Sequence, residues 1–228
     1  MNGFERALAA VLGEENLAAI QRVKIGLAGA GGLGSNCAAF LVRSGFKRFK
    51  IVDFDRVEES NLNRQFFFGA QVGRLKVEAL RDNLKAINPD LEIEVNARRI
   101  TAADAADIFR DCHAVVEALD RPEDKKMLVE AHLHSGKLLV AASGLAGWGR
   151  SEGIVVRRIG ELFYLVGDME SAAAPGCPPL APGVAVAAAK QADVVLNHFL
   201  SRPVDYQAPG GHTAGSGVRC APRPEEDY

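Results

Sequence analysis

The sequence predicts an α/β fold of the Rossmann-like, doubly wound kind, with a mainly parallel sheet extended by an antiparallel hairpin. Three observations lead there. Short apolar runs alternate with helix-like segments as far as residue 144, a glycine-rich turn follows the first of those runs, and two strand-like runs within 152–168 follow one another with no helix between them. Strands that alternate with helices lie parallel, since each crossover carries the chain back to the same end of the sheet.

Residues 1–22 read as a helical lead-in, and VKIGLAG at 23–29 is apolar enough for a central strand buried on both faces. After the glycine turn, NCAAFLVRSG at 36–45 has helical composition and closes with a glycine, and FKIVDFD at 49–55 supplies the second strand. That order implies a right-handed crossover. A polar loop, SNLNRQFFF at 60–68, leads to a helix near 73–88. This helix stops before Pro89, because the residue preceding a proline is pushed out of the α region. LEIEVNA at 91–97 alternates as a strand does. The alternation continues with a helix near 102–111, a strand HAVVEAL at 113–119, a helix near 122–135 and a strand KLLVAASG at 137–144. EGIVVRRIG and LFYLVGD make the hairpin, PGCPPLAPG at 175–183 a proline-rich connection, and VAVAAAKQADVVLNHFL at 184–200 a closing helix. From Ser201 the composition turns to proline, glycine, serine and charge. We therefore expect one domain over 1–200 and a mobile tail over 201–228.

The 228 residues are 48% hydrophobic and 25% charged, enough for one substantial core, and the formal net charge of −2 leaves no reservoir of positive charge for a nucleic-acid backbone. The opening MNGFERALAAVLGEEN lacks the apolar centre of a signal peptide and no later run is long enough to span a bilayer, so the expectation is cytoplasmic, without a membrane partner. Cys37, Cys112, Cys177 and Cys220 form no Cys-x-x-Cys pair, which argues against a disulfide framework and a zinc site. His132 and His134, two residues apart on a helix, point to different faces and do not make a metal pair.

The chemistry begins in GAGGLGS at 29–35. Gly29, Gly31, Gly32 and Gly34 let the backbone approach phosphates closely, and a helix starting near Ser35 offers unpaired N–H groups to anionic oxygens. Asp53, about twenty residues on at the end of the second strand, is placed to bind ribose hydroxyls, with Asp55 beside it. These features do not separate NAD from ATP. Arg64 and Lys76 favour ATP, since cleaving it requires cations against charge developing on the transferred group and on pyrophosphate. Asn61 and Gln65 add neutral donors without cancelling that charge. Asp120, at the exit of HAVVEAL, is placed to hold Mg2+ against phosphates, or else simply caps the next helix.

Together, GAGGLGS, IVDFDRVEESNLNRQ, GRLKVEAL and the Asp120 that follows VVEAL resemble the adenylating domain shared by ThiF, MoeB and ubiquitin-activating enzymes, from about Gly13 to Leu200. With VAASGLAGWG and YLVGD, the text looks closest to the short ThiF-like proteins of thiamine biosynthesis. The resemblance implies ATP- and Mg2+-dependent adenylation of the C-terminal glycine carboxylate of a small ubiquitin-like sulfur-carrier protein ending in Gly-Gly, by a homodimer, with a sulfur donor protein supplying the thiocarboxylate. It assigns Asp53 to ribose, Arg64 and Lys76 to phosphates, Asn61 and Gln65 to the reacting region, and Asp120 to magnesium. GLAGWG at 144–149 would wall the channel for the carrier tail.

This chain departs from the family's pattern in three places. It lacks the paired cysteines of larger relatives, so no structural zinc is expected. The family's N-terminal arginine, which reaches a neighbouring subunit's ATP, has no matching motif here, although Arg6 and Arg22 are available. Cys177 stands near where some relatives handle sulfur, whereas Cys37 and Cys112 read as structural and Cys220 belongs to the tail. Competing readings are an NAD-dependent oxidoreductase, which leaves Arg64, Lys76 and Asp120 unexplained, a non-catalytic carrier-binding subunit, and activation of a MoaD-like carrier for molybdenum cofactor.

Overall fold

The computed structural model describes residues 1–201, and the expected tail at 202–228 lies outside the described residues. Seven strands form one sheet: β1 (Lys24–Ala28), β2 (Arg48–Val52), β3 (Glu92–Asn96), β4 (Ala114–Glu117), β5 (Leu138–Ala142), β6 (Val155–Arg158) and β7 (Phe163–Gly167). Their order is β3-β2-β1-β4-β5-β7-β6, with every neighbouring pair parallel except β6 and β7. The hairpin is thus joined through its second strand, which continues the parallel sheet, while its first strand forms the outer edge.

Six helices cover the sheet: α1 (Gly3–Leu12), α2 (Glu14–Arg22), α3 (Gly32–Arg43), α4 (Lys76–Ile87), α5 (Pro122–His132) and α6 (Ala181–Leu200). The lead-in is two helices, broken at Gly13 where φ is +89°. Residues of β1 alternate between the two cores as a pleated strand requires. Ile25 and Leu27 pack with α2, α3, α4 and α6, and Ala28 joins Phe109, Cys112, Val115, Leu128 and Leu139 on the α5 side. A polar contact holds α1 in place: buried Glu5 pairs with Lys47 at 2.9 Å, and Asn2 both caps the helix and donates to Asn88 at 2.6 Å.

The segment at 102–111 is not the helix its composition suggests but a run of separate turns. Asp104 takes the Thr101 N–H at 2.7 Å, a bond compatible with a helix start, but Asp111 at the other end is drawn to Lys24 at 2.5 Å and Lys50 at 2.6 Å. Between them Phe109 lies so close to β1 that a Cβ on Gly26 would sit 2.5 Å from its ring. A glycine in the middle of a central strand therefore marks a close approach. α3 begins at Gly32 rather than near Ser35, so two turn glycines fall in its first turn; α4 begins at Lys76 rather than 73, and the closing helix at Ala181 rather than 184, with Pro182 in its first turn.

Two outcomes check this packing. Gly26→Ala should cost about 1–3 kcal/mol through overpacking, and Gly26→Ala combined with Phe109→Leu should recover part of it; an unchanged urea midpoint in the single variant would show that Phe109 does not press on β1. His132 is buried against Phe109, and burial holds its imidazole below the usual range. The unfolded chain then takes up the proton first, so this contribution is present above the unfolded pKa of about 6.5 and is lost as pH falls through it. Stability should fall less between about pH 7 and about pH 5 in His132→Phe than in wild type, and parallel pH profiles would contradict that assignment.

Candidate functional site

A cavity of about 850 Å3 opens at the carboxyl ends of β1, β2, β4 and β5. It lies where the strand order turns from one side of β1 to the other, the place at which open α/β sheets bind ligands.

The floor is the glycine turn. Gly29 has φ +100°, and a Cβ there would meet the Ala118 carbonyl at 2.5 Å. A Cβ on Gly34 would stand 1.9 Å from the Gly29 carbonyl, and one on Gly32 would meet Val184 at 3.0 Å. Gly31 is the N-cap of α3 and contributes no side chain, so no side chain of its own covers the first N–H groups of the helix at the cavity. Asp53 is tied to this turn. Its Oδ2 accepts from Ala30 N–H at 2.7 Å and its Oδ1 from Asp55 N–H at 2.8 Å. Burial pushes the Asp53 carboxyl above its ordinary range, opposed by those two N–H groups.

The cations stand to one side. Lys76, 7% exposed at the first turn of α4, puts its Nζ 2.8 Å from Asp55 Oδ2. The Arg64 guanidinium donates to the Ser60 carbonyl at 3.0 Å and to Asn63 Oδ1 at 2.8 Å, while its stem lies against Gly32. Asn61 is buried and accepts the Glu58 N–H at 3.1 Å. Gln65 is 8% exposed, lines the cavity beside Gly31, and its Oε1 is buried without a hydrogen-bond partner. Asp120 is exposed on the opposite wall, after β4.

The sequence-derived set therefore converges: Gly29, Gly31, Gly32, Asp53, Asp55, Asn61, Arg64, Gln65, Lys76 and Asp120 all line one cavity, and Gly34 packs directly beneath it. Cys177 does not join them. It is half-buried in the connection before α6, its Sγ 3.1 Å from where a Gly147 Cβ would be, and it is outside the cavity lining. Gly144, Leu145 and Ala146 do line the cavity, but Trp148 is 66% exposed and points elsewhere. Phe67 is core, whereas Phe68 is exposed. Arg6 and Arg22 sit at the opposite end of the sheet. Arg22 immediately precedes the strand that starts at Lys24, and Arg6 is on the helix anchored to Lys47, ahead of β2. Burial raises the thiols of Cys37 and Cys112, the latter to about 12, which removes both as nucleophiles.

Sequence reading missed Glu117 and Lys125, an ion pair at 3.0 Å whose carboxylate is buried, and Arg98, Arg99 and Arg121, which with Lys125 line the cavity. Glu117 looks in sequence like one more strand residue. Its only signal was a carboxylate inside an otherwise apolar run, VVEAL. Asp53→Ala should leave two turn N–H groups without their acceptor and cost about 1–3 kcal/mol by urea denaturation, and no change would mean the carboxylate does not organise the turn.

A search against known proteins agrees with the geometry. The adenylyltransferase and sulfurtransferase UBA4 of Candida glabrata is 34% identical over 145 residues, 63% of this chain and 34% of that protein. The probable adenylyltransferase/sulfurtransferase MoeZ of Mycobacterium tuberculosis is 33% identical over 133 residues, 58% of this chain and 34% of its own. The chain thus spans about a third of the length of these curated relatives. Among solved structures, Escherichia coli tRNA N6-threonylcarbamoyladenosine dehydratase TcdA in complex with AMP superposes with a TM-score of 0.77 at 22% identity, covering 85% of this chain and 92% of that one, a likeness of fold. The model of the ThiF family matches residues 4–214, and this chain is a member of that family.

Proposed function

We propose that this protein is an adenylyltransferase that activates the C-terminal glycine carboxylate of a small ubiquitin-like sulfur-carrier protein with ATP. The observation that carries this reading is the meeting, in one cavity, of a helix N-terminus floored by glycines, a carboxylate at the end of β2, Asp53, and two cations, Arg64 and Lys76. The relatives named as adenylyltransferases and the AMP and ATP complexes of TcdA support it.

Asp53 binds the ribose, and Val52, Ile100 and Leu119 offer an apolar slot for the base. The N–H groups at the start of α3 take phosphate oxygens. Lys76 exchanges part of its contact with Asp55 for phosphate, and Arg64 turns from Ser60 and Asn63 towards the departing pyrophosphate. The carrier's carboxylate attacks the α-phosphorus in line, forming the acyl-adenylate and releasing pyrophosphate. The chain's contribution is positioning and charge neutralisation, with no protein nucleophile. Among the described residues no three His, Cys, Asp or Glu side chains gather closely enough to hold a metal. Magnesium would therefore arrive on the phosphates, with Asp120 as its single protein ligand, a donor set typical of this ion. Leu145, Ala146, Ala172 and Ala173 leave a narrow, small-residue side of the cavity that suits a Gly-Gly tail.

Within this reading the carrier is ThiS-like and the pathway that of the thiamine thiazole, the protein acts as a homodimer, and residues 1–200 are the adenylating domain. Cys177 takes part, if at all, in the later sulfur transfer. An oxidoreductase would leave the Arg64 and Lys76 cations without a task.

ATP–pyrophosphate exchange in the presence of each Gly-Gly-terminated carrier tests this. Exchange should appear with one carrier, fall by about 100-fold or more in Arg64→Ala and Asp120→Ala, and persist in Cys177→Ala. Folded wild-type protein that binds ATP but exchanges with no carrier would refute adenylation of such carriers.

A further inference from the structure

On the α5 side of the sheet, at the edge of the cavity, a buried carboxylate meets an ammonium that is 24% exposed and lines the cavity. Glu117, 1% exposed, ends β4, and each of its oxygens lies 3.0 Å from Lys125 Nζ. Glu117 Oε1 also accepts the Leu119 N–H at 2.7 Å, and Lys125 Nζ donates to the Ala142 carbonyl at 3.0 Å. The backbone of Glu117 is held as well, its carbonyl accepting from Gln191 Nε2 at 3.1 Å across the sheet. One side-chain pair thus ties together the exit of β4, the exit of β5 and the first turns of α5.

As a stabilising device this is a poor choice. Burial disfavours the Glu117 carboxylate, Lys125 only offsets that, and apolar residues of the same volume would serve the core as well. What an apolar pair could not do is take the Leu119 N–H. That bond fixes the peptide one residue before Asp120, at the point where the chain leaves the sheet for the cavity wall. We propose that Glu117 and Lys125 are positioning residues for Asp120, holding the turn at 118–120 so that its carboxylate faces the phosphate end of the cavity. The inference rests on the nucleotide reading above and adds to it the pair that sets the geometry of the metal-facing carboxylate.

ATP binding measured calorimetrically, with Mg2+ and with EDTA, tests the pair independently of turnover. Wild type should bind more tightly with Mg2+, and Asp120→Asn should lose that gain. The double variant Glu117→Leu/Lys125→Met, which leaves no unpaired charge and no acceptor for the Leu119 N–H, should lose about tenfold or more of the Mg2+-supported affinity while its affinity in EDTA stays within about twofold. Adding Asp120→Asn to it should bring no further loss, as expected for residues acting through one group. Glu117→Asp retains the charge but draws the carboxylate back from the Leu119 N–H, and should show the same selective loss if the double variant does not fold. A full Mg2+ gain in either folded variant, an equal loss with and without metal, or additive losses with Asp120→Asn would overturn the positioning role and leave the nucleotide reading standing. Wild-type affinity indifferent to Mg2+ would overturn the positioning role alone, and wild-type protein that binds no ATP under either condition would overturn the nucleotide reading as well.

Discussion

The site depends on one steric constraint: α3 approaches the exit of β1 so closely that no side chain fits between them. A Cβ on Gly34 would lie 1.9 Å from the Gly29 carbonyl, and one on Gly29 would run into the Ala118 carbonyl. Only glycine permits both the positive φ at the turn and the helix packed onto it. That packing aims the start of α3 into the cavity, and it brings Ala30 N–H within reach of Asp53, coupling the first strand to the second. The cations then need only short connections to reach the same space. Arg64 rests against Gly32, and Lys76 opens α4 just behind Asp55.

The electrostatics of the cavity are prepared before any ligand enters. Lys76 is almost wholly buried and is kept there by Asp55, while Arg64 is steadied by a carbonyl and an amide, neutral partners that leave its charge uncancelled. Preorganised cations of this sort lower the reorganisation needed when charge develops on a phosphate. Glu117 and Lys125 form a second pair, with Lys125 at the cavity wall and Glu117 buried behind it, that neutralises itself and holds the backbone of Leu119.

The sheet and its helices were legible because their signals are local. β1, β4 and β5 are buried throughout and read as continuous apolar runs, and the hairpin announced itself by two strand patterns without a helix between them. The segment at 102–111 misled because alanine-rich text favours a helix, whereas Asp111 and the seat of Phe109 on Gly26 hold it as turns. Trp148 misled in the opposite way. A large aromatic in a glycine-rich stretch suggested a wall, yet positive φ at Gly147 and Gly149 turns the chain so that the ring faces outward.

By itself the sequence determined the order of elements, the glycine turn, and those acids and cations that stand after a strand or at a helix start, Asp53, Asp55, Arg64, Lys76 and Asp120, since strand ends, turns and helix starts are written within a few residues of each other. Only the tertiary structure decided which of those groups meet. It brought Gln65 beside Gly31 with an acceptor left open, kept Cys177 out of the cavity, sent Arg6 and Arg22 to the far end of the sheet, and joined Glu117 to Lys125 beneath Asp120. Those relations depend on how far apart the packed elements lie, a distance set by the summed fit of side chains from distant parts of the chain and written in no single stretch of it.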